Sequence, residues 1–434
     1  MLKESFSTRA HRLIPGGAHT YSKGDDLLPV NAPEAFVRGK GARVWDLEGR
    51  EFVDWGMGIN NVLIGHAESA IDEAAISALR DGQNFSRPSP LEVEAAESLL
   101  SLFGSMEMAK FAKNGSDAND AAIRLARAVT GRELIAYDKS APFLSIHDWF
   151  IGTTVMNAGV PEAVARLAVP FRFNDTASIE VLFAEHGPRL AAVILEPCRE
   201  TRPAPGFLER LRVLCDQHGA LLIFDENVTA FRYSVHGAQS LFGVRPDFTA
   251  IGKGIANGYA LTALLGRRQY MERGGLHHDQ PRCFLLSTTN GAERSALAAG
   301  IASMAFSVAN NVPDALASTG RRLMSGLEGI AARHDVAEYV FLESDFPSRP
   351  LLRCLDHTRT PSPEFRTLFL QELLRHRVFM PWCSPSFRHG QSELDQTMEA
   401  FDAACHVYAR AIEQRSAAPF LEGRPVKPVF RAFN

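Results

Sequence analysis

Three ionisable residues stand where short apolar runs end. Ala191-Ala-Val-Ile-Leu195 leads into Glu196, Ala220-Leu-Leu-Ile-Phe224 into Asp225, and Asp247-Phe-Thr-Ala-Ile-Gly252 into Lys253. Runs of this length and composition read as buried strands. A lysine left near the interior at a strand end loses part of its hydration, which disfavours the ammonium form. Such a lysine becomes an amine nucleophile, able to form a Schiff base with a carbonyl cofactor. If that cofactor is a pyridine, its ring nitrogen must be protonated to act as an electron sink, and Asp225 on a neighbouring strand end suits that duty. A phosphate on the same cofactor needs an anion site. Asn114-Gly115-Ser116, at the head of an amphipathic helix, offers backbone N–H groups, a hydroxyl and the positive end of a helix dipole. Phe143 is the flat apolar group for one face of the ring. Taken singly, each residue has a structural alternative: a snorkelling lysine, a turn aspartate, a plain helix cap, a core phenylalanine, a glutamate that ends a strand before proline. Their joint order along the chain carries the chemical reading.

The elements that must position these residues alternate strand and helix through the centre of the chain. That alternation predicts an α/β fold with a mostly parallel sheet and helices on both faces. Ligands of such sheets gather at the carboxyl ends of the strands, where Glu196, Asp225 and Lys253 fall. The helix after Lys113 carries the stripe Ala118, Ala121, Ala122, Leu125, Ala126 and Val129, with Ser116 as N-cap candidate and Gly131 as its end. Upstream, Asp46-Leu-Glu-Gly49 marks a hairpin between two alternating strands, and helical periodicity from 67 to 103 breaks at Arg87-Pro-Ser-Pro90. Residues 1–35 read as a polar arm with a turn at Pro15-Gly16-Gly17. Past 310, helical segments over 314–334, 363–377 and 393–415 surround strands near 338–356 and 378–381, and an extended tail runs from Ser416. The expected division is a large cofactor-binding domain over 61–312. The smaller α/β domain combines the arm and hairpin of 1–60 with residues 313–434.

Bulk properties remove other classes. The 434 residues are 46% hydrophobic and 22% charged with a net charge of −4, so no basic field argues for nucleic acid or an anionic membrane. No apolar run reaches the length of a membrane span, and the first residues lack a signal-peptide core. The six cysteines form no CxxC pair, which predicts neither a metal site nor a disulfide frame and fits a reducing cytoplasm.

The order of motifs resembles that of the class III, fold-type I aminotransferases that use pyridoxal 5'-phosphate, and within them the glutamate-1-semialdehyde aminomutase group. The likeness runs through His11-Arg-Leu-Ile-Pro-Gly-Gly17, Asp46 to Asp54, Phe111 to Ala118 and Ala121 to Ala128. It is tightest at Ala220-Leu-Leu-Ile-Phe-Asp-Glu226, Gly237 to Gly243 and Pro246 to Lys253. It implies that Lys253 is the Schiff-base lysine and proton shuttle, and that Asp225 pairs with the pyridine nitrogen. Asn114, Gly115 and Ser116 match the phosphate cup, and Phe143 the stacking aromatic. Thr289, in Ser287-Thr-Thr-Asn-Gly291, matches the threonine that reaches the phosphate of a neighbouring subunit, which implies a homodimer with shared active sites.

The chain also departs from that group. Leu144-Ser145 stands where His-Gly usually follows the aromatic. Gly58-Ile59-Asn60-Asn61 replaces a Ser-Trp-Gly-Pro loop near the substrate, and Ala256-Asn257-Gly258-Tyr259-Ala260-Leu261 replaces a glycine-rich run after the lysine. A mutase must retain its intermediate under a tight lid. Loss of these parts favours an aminotransferase that takes an amino group from a donor such as glutamate and delivers it to an aldehyde or ketone. The alternative is a glutamate-1-semialdehyde 2,1-aminomutase-type isomerase. Asn60, Asn61 and His147 point to a polar, hydroxyl-bearing substrate. Arg232 offers either a fork for a substrate carboxylate or a structural ion pair.

Overall fold

The computed structural model describes residues 4–433. The described residues form two compact units, one of 4–68 with 314–431 and the other of 69–313 with 432–433.

In the first unit, strands β1 (Phe36–Lys40), β2 (Arg43–Asp46) and β3 (Glu51–Asp54) form an antiparallel meander, and Val378–Phe379 joins β3 in parallel. The sequence predicts one hairpin over 36–55. The structure has two, because Gly41 takes a positive φ of 58° and turns the chain between β1 and β2. The core packs Val53 and Trp55 against the helices Val312–Arg333, Pro363–Arg375 and Gln391–Glu413. The arm is not simply extended. Ser5 caps a helix over Phe6–Leu13 by accepting the Thr8 N–H at 3.1 Å, a cap that the polar composition of the segment masks. The tail packs against the unit, as its extended reading implies: the Val426 N–H donates to the Thr367 hydroxyl at 2.8 Å, and Arg424 donates to the carbonyls of Asp25 and Asp26.

The second unit holds a seven-stranded sheet of β4 (Met108–Ala112), β5 (Leu134–Asp138), β6 (Ala168–Phe171), β7 (Leu190–Leu195), β8 (Leu221–Asp225), β9 (Phe248–Ile251) and β10 (Thr262–Gly266). Its order is β4-β10-β9-β8-β7-β5-β6, parallel from β9 to β6, with β10 antiparallel to both neighbours. The central strands are apolar throughout because helices cover both faces. Ile194, Leu221 and Ile223 pack towards Ala118, Ala122 and Leu125 of the helix Gly115–Thr130. Val193, Leu195, Leu222 and Phe224 pack towards Leu182, Phe183, Leu208 and Leu211 on the other side. The two-residue period of the strands splits each apolar run between the two layers. The parallel register brings the strand ends together: Leu195 pairs with Phe224, and Asp225 with Ala250.

Candidate active site

Asp225 closes β8 and is almost fully buried. Its Oδ1 accepts the backbone N–H of Asn227 at 3.0 Å and the Asn227 side-chain amide at 2.7 Å, and its Oδ2 accepts the Asn119 amide at 2.8 Å. A carboxylate has about four lone-pair directions, so these bonds leave one unused. Burial pushes the Asp225 pKa up. The Asn227 and Asn119 hydrogen bonds and the nearby charge of Lys253 oppose that rise. Asn119 reaches this position from the buried face of the helix Gly115–Thr130, and it also donates to the Leu144 carbonyl at 2.7 Å. The segment that carries Phe143 is thereby tied to the carboxylate.

The segment Asn114-Gly115-Ser116, read from the sequence as an anion cup, lies beside this group. The cap of the helix is Asn114, not Ser116 as the sequence suggests. Asn114 has an extended backbone, and its side chain accepts the Asp117 N–H at 3.1 Å, which places Ser116 inside the first turn. The Ser116 hydroxyl accepts the Ile146 N–H at 3.1 Å and holds the 141–148 segment over the helix head. A Cβ on Gly115 would lie 2.6 Å from the Asn227 amide carbon, and one on Gly252 would lie 2.5 Å from the Asn227 carbonyl oxygen. Glycine is required at both places by this one side chain. Beyond Gly252 the chain enters a short turn, Lys253–Ala256, with Lys253 itself at φ +42°. A left-handed conformation at a residue with a Cβ costs about 1–2 kcal/mol, and strain of this kind concentrates at functional positions.

The other candidates divide. Glu196 directly follows β7 and is buried next to the strand that ends in Asp225. Phe143 is 43% exposed, with its ring edge-on to Phe150 at 5.9 Å. His147 lies 3.7 Å from Asp117 in the first turn of the capped helix. Arg232 is fully enclosed in the loop after β8, where its backbone N–H donates to the Thr229 carbonyl at 3.2 Å. Thr289 is exposed. It lines a cavity of about 160 Å³ with Gln83, Asn84, Arg87, Thr288 and Arg294, none of which belongs to the Lys253 group. Asn60 and Asn61 are in the first unit, where Met57, Gly58, Ile59 and Asn60 all have positive φ and form a left-handed turn. Asp54 braces that turn by accepting the N–H groups of Gly56 and Met57. Among the described residues no cluster could hold a metal ion.

The profile described as "Aminotransferase class-III" matches residues 28–341. The chain belongs to the class III aminotransferases. This aminotransferase is 32% identical to the glutamate-1-semialdehyde 2,1-aminomutase of Syntrophobacter fumaroxidans, over 90% of this chain and 94% of that protein. It is 31% identical to the 3-aminobutyryl-CoA aminotransferase of Cloacimonas acidaminovorans, over 91% and 94%. Among solved structures, the FumI protein of Sphingopyxis sp. MTA144 superposes with a TM-score of 0.85 at 27% identity, covering 96% of this chain and 98% of that one. An omega-transaminase from Sphaerobacter thermophilus gives 0.83 at 28% identity, over 93% and 97%. The fold is therefore that of the fold-type I transferases.

Sequence reasoning on this aminotransferase missed Asn119 and Asn227. Asn119 had a readable signal: it lies three and seven residues before Ala122 and Ala126, on the apolar stripe, where an amide must find buried partners. Asn227 had none, because nothing local shows that one side chain fills the space beside two distant glycines. The run after the lysine is also better defined than its composition suggests. The Tyr259 hydroxyl donates to Asp72 at 2.9 Å, and Lys113 donates to the Ala260 carbonyl at 3.0 Å. Burial and Asp72 push the Tyr259 phenol up to about 12, so it stays a donor at neutral pH.

Proposed function

We propose that this aminotransferase takes an amino group from a donor such as glutamate and delivers it to the aldehyde or ketone of a polar small metabolite, with pyridoxal 5'-phosphate as cofactor. The observation that carries the reading is Asp225: a buried carboxylate, hydrogen-bonded on both oxygens, with one acceptor direction left and a lysine close by. That remaining direction suits a cationic ring N–H. The head of the helix Gly115–Thr130, with backbone N–H groups at its first turn and Asn114 as its cap, suits a phosphate. The residues present thus fit the cofactor.

In this reading Lys253 holds the cofactor's carbonyl carbon through its Nζ, and Asn114, Gly115 and Ser116 hold the phosphate. Phe143 covers one face of the ring, and Glu196 borders the ring at the strand ends. When bound, the cofactor supplies an electron sink for the substrate's α-carbon. Asp225 keeps the ring nitrogen protonated by holding a negative charge against it. The Lys253 amine would serve as the base that takes up and returns the proton at the substrate's α-carbon. Asn60, Asn61, His147 and Arg232 are the proposed substrate contacts. Thr289 is proposed to serve the phosphate of a second subunit in a homodimer, which agrees with its exposed position apart from the Lys253 group. A cytoplasmic setting agrees with six buried, unbridged cysteines. No single helix among the described residues is long and apolar enough to cross a membrane.

The likeness to an aminomutase favours a second reading, an intramolecular amino shift. Against it stands the run Ala256–Leu261, held at Tyr259 and Ala260, which lacks the freedom of a glycine-rich lid. The deciding experiment mixes purified protein with cofactor and an amino donor. A visible band that borohydride fixes onto Lys253, followed by release of the donor's keto acid, is the expected result. Amino transfer within one molecule without keto acid would establish the mutase instead, and a protein that stays colourless with added cofactor would refute both.

A further inference from the structure

We propose that Asn227 is a positioning residue for Asp225, holding the carboxylate charged and aimed for the cofactor's ring N–H. The inference rests on the cofactor reading above and concerns a residue to which that reading assigns no role of its own. Asn227 gives Asp225 two donors on one oxygen, its backbone N–H at 3.0 Å and its amide at 2.7 Å. Its own carbonyl oxygen is buried without a hydrogen-bond donor. The fold therefore strands a polar atom and keeps glycine at 115 and 252 to seat this amide. An apolar side chain of similar volume would fill the same space but would give Asp225 no side-chain donor. Donors on a carboxylate favour the anion and oppose burial, which favours the protonated acid. A protonated Asp225 holds no negative charge against a cationic ring N–H. The Asn119 amide constrains the other oxygen, so together the two asparagines leave the carboxylate a single orientation.

The test compares wild type, Asn227→Val and Asn227→Asp by titrating each apoprotein with pyridoxal 5'-phosphate and following the pH midpoint of the visible band of each holoprotein. Valine keeps a branched shape and removes the N–H. Loss of a hydrogen bond to a charged group predicts pyridoxal 5'-phosphate binding weaker by about tenfold or more. The band midpoint should move to higher pH, because a more basic Asp225 leaves less positive charge on the ring and the lysine-bound nitrogen then keeps its proton longer. Asn227→Asp sets a second carboxylate against the first and should weaken binding further. Should the valine variant fail to fold, the nearly isosteric aspartate variant carries the same comparison. A variant that binds cofactor like wild type with an unmoved midpoint overturns the proposal and makes Asn227 a space-filler. A wild type without the band overturns the cofactor reading, and this inference with it.

Discussion

At the scale of single residues, the site turns on Asp225, whose charge burial penalises. Burial raises the Asp225 pKa, and three hydrogen bonds and the charge of Lys253 oppose that rise, so a cation placed at its remaining acceptor direction would favour the anion. Replacing Asp225 by alanine removes the acceptor proposed for a ring N–H. Asp225→Ala should lower kcat by about a hundredfold or more, as loss of a preorganised electrostatic partner does, and should let cofactor dialyse away. Steady-state rates with saturating cofactor measure the first effect, and absorbance after dialysis the second. A variant that keeps wild-type rates would show that the ring nitrogen is held elsewhere. Glu226, next in the chain, is equally buried but has a different duty. It accepts the Thr229 hydroxyl and the N–H groups of Ala238 and Gln239, and so closes the loop that contains Arg232.

At the scale of elements, the helix Gly115–Thr130 does three things with its first two turns. Asn114 caps it, Gly115 gives way to Asn227, and Asn119 reaches Asp225. Gly115→Ala forces a Cβ within 2.6 Å of an amide that Asp225 already pins. Overpacking of this kind costs about 1–3 kcal/mol, so the melting temperature should fall and the cofactor affinity with it. Gly104→Ala is the control. A Cβ there meets nothing within 4 Å, and its melting curve should match wild type. Equal melting of the two variants would mean that Asn227 yields without cost.

The pattern of apolar runs made this helix and the parallel strands legible, because burial on two faces leaves little choice of residue. The N-cap was misplaced by two positions. Asn114 and Ser116 are both good caps, and only the backbone angles decide between them. The second turn of the meander was missed for a similar reason, since Gly41 reads as one glycine among several until its φ is known.

At the scale of the whole molecule, two expectations follow. The first concerns subunits. If Thr289 serves a neighbour's phosphate, a mixed dimer of Lys253→Ala and Thr289→Ala chains contains one intact site. Coexpression of two nearly inactive variants should then recover about a quarter of wild-type activity, from random pairing in a symmetric dimer. No recovery would place Thr289 outside the shared site. The second concerns pH. His389 is buried, stacked on Trp55 at 3.9 Å, and its Nδ1 accepts the Ser386 N–H at 3.0 Å. Burial lowers its pKa from 6.5 to about 4, against the opposing pull of Asp54 and Glu393, while His66 adds to the lowering. The folded chain therefore keeps the ring neutral where the unfolded chain protonates it. Stability is unaffected above pH 6.5, falls as pH drops from 6.5 to about 4, and levels off below. The loss attributable to this group is about 3 kcal/mol across that window. Urea midpoints measured through the window should show this slope, and His389→Asn should flatten it. An unchanged slope in the variant would assign the acid lability to other groups.

The sequence by itself determined the alternation of strand and helix, the family, and the convergence of Glu196, Asp225 and Lys253 at strand ends. These follow from periodicity and from residue types whose chemistry is local. It could not determine that Asn119 and Asn227 converge on Asp225 from a helix and from the strand's own exit, or that Asn227 dictates two glycines more than a hundred positions apart. Nor could it show that four successive residues at 57–60 turn left-handed. Those features depend on which atoms meet across the fold. Hydrogen-bond satisfaction and excluded volume act between residues with no fixed spacing in the chain, and only the tertiary structure decides them.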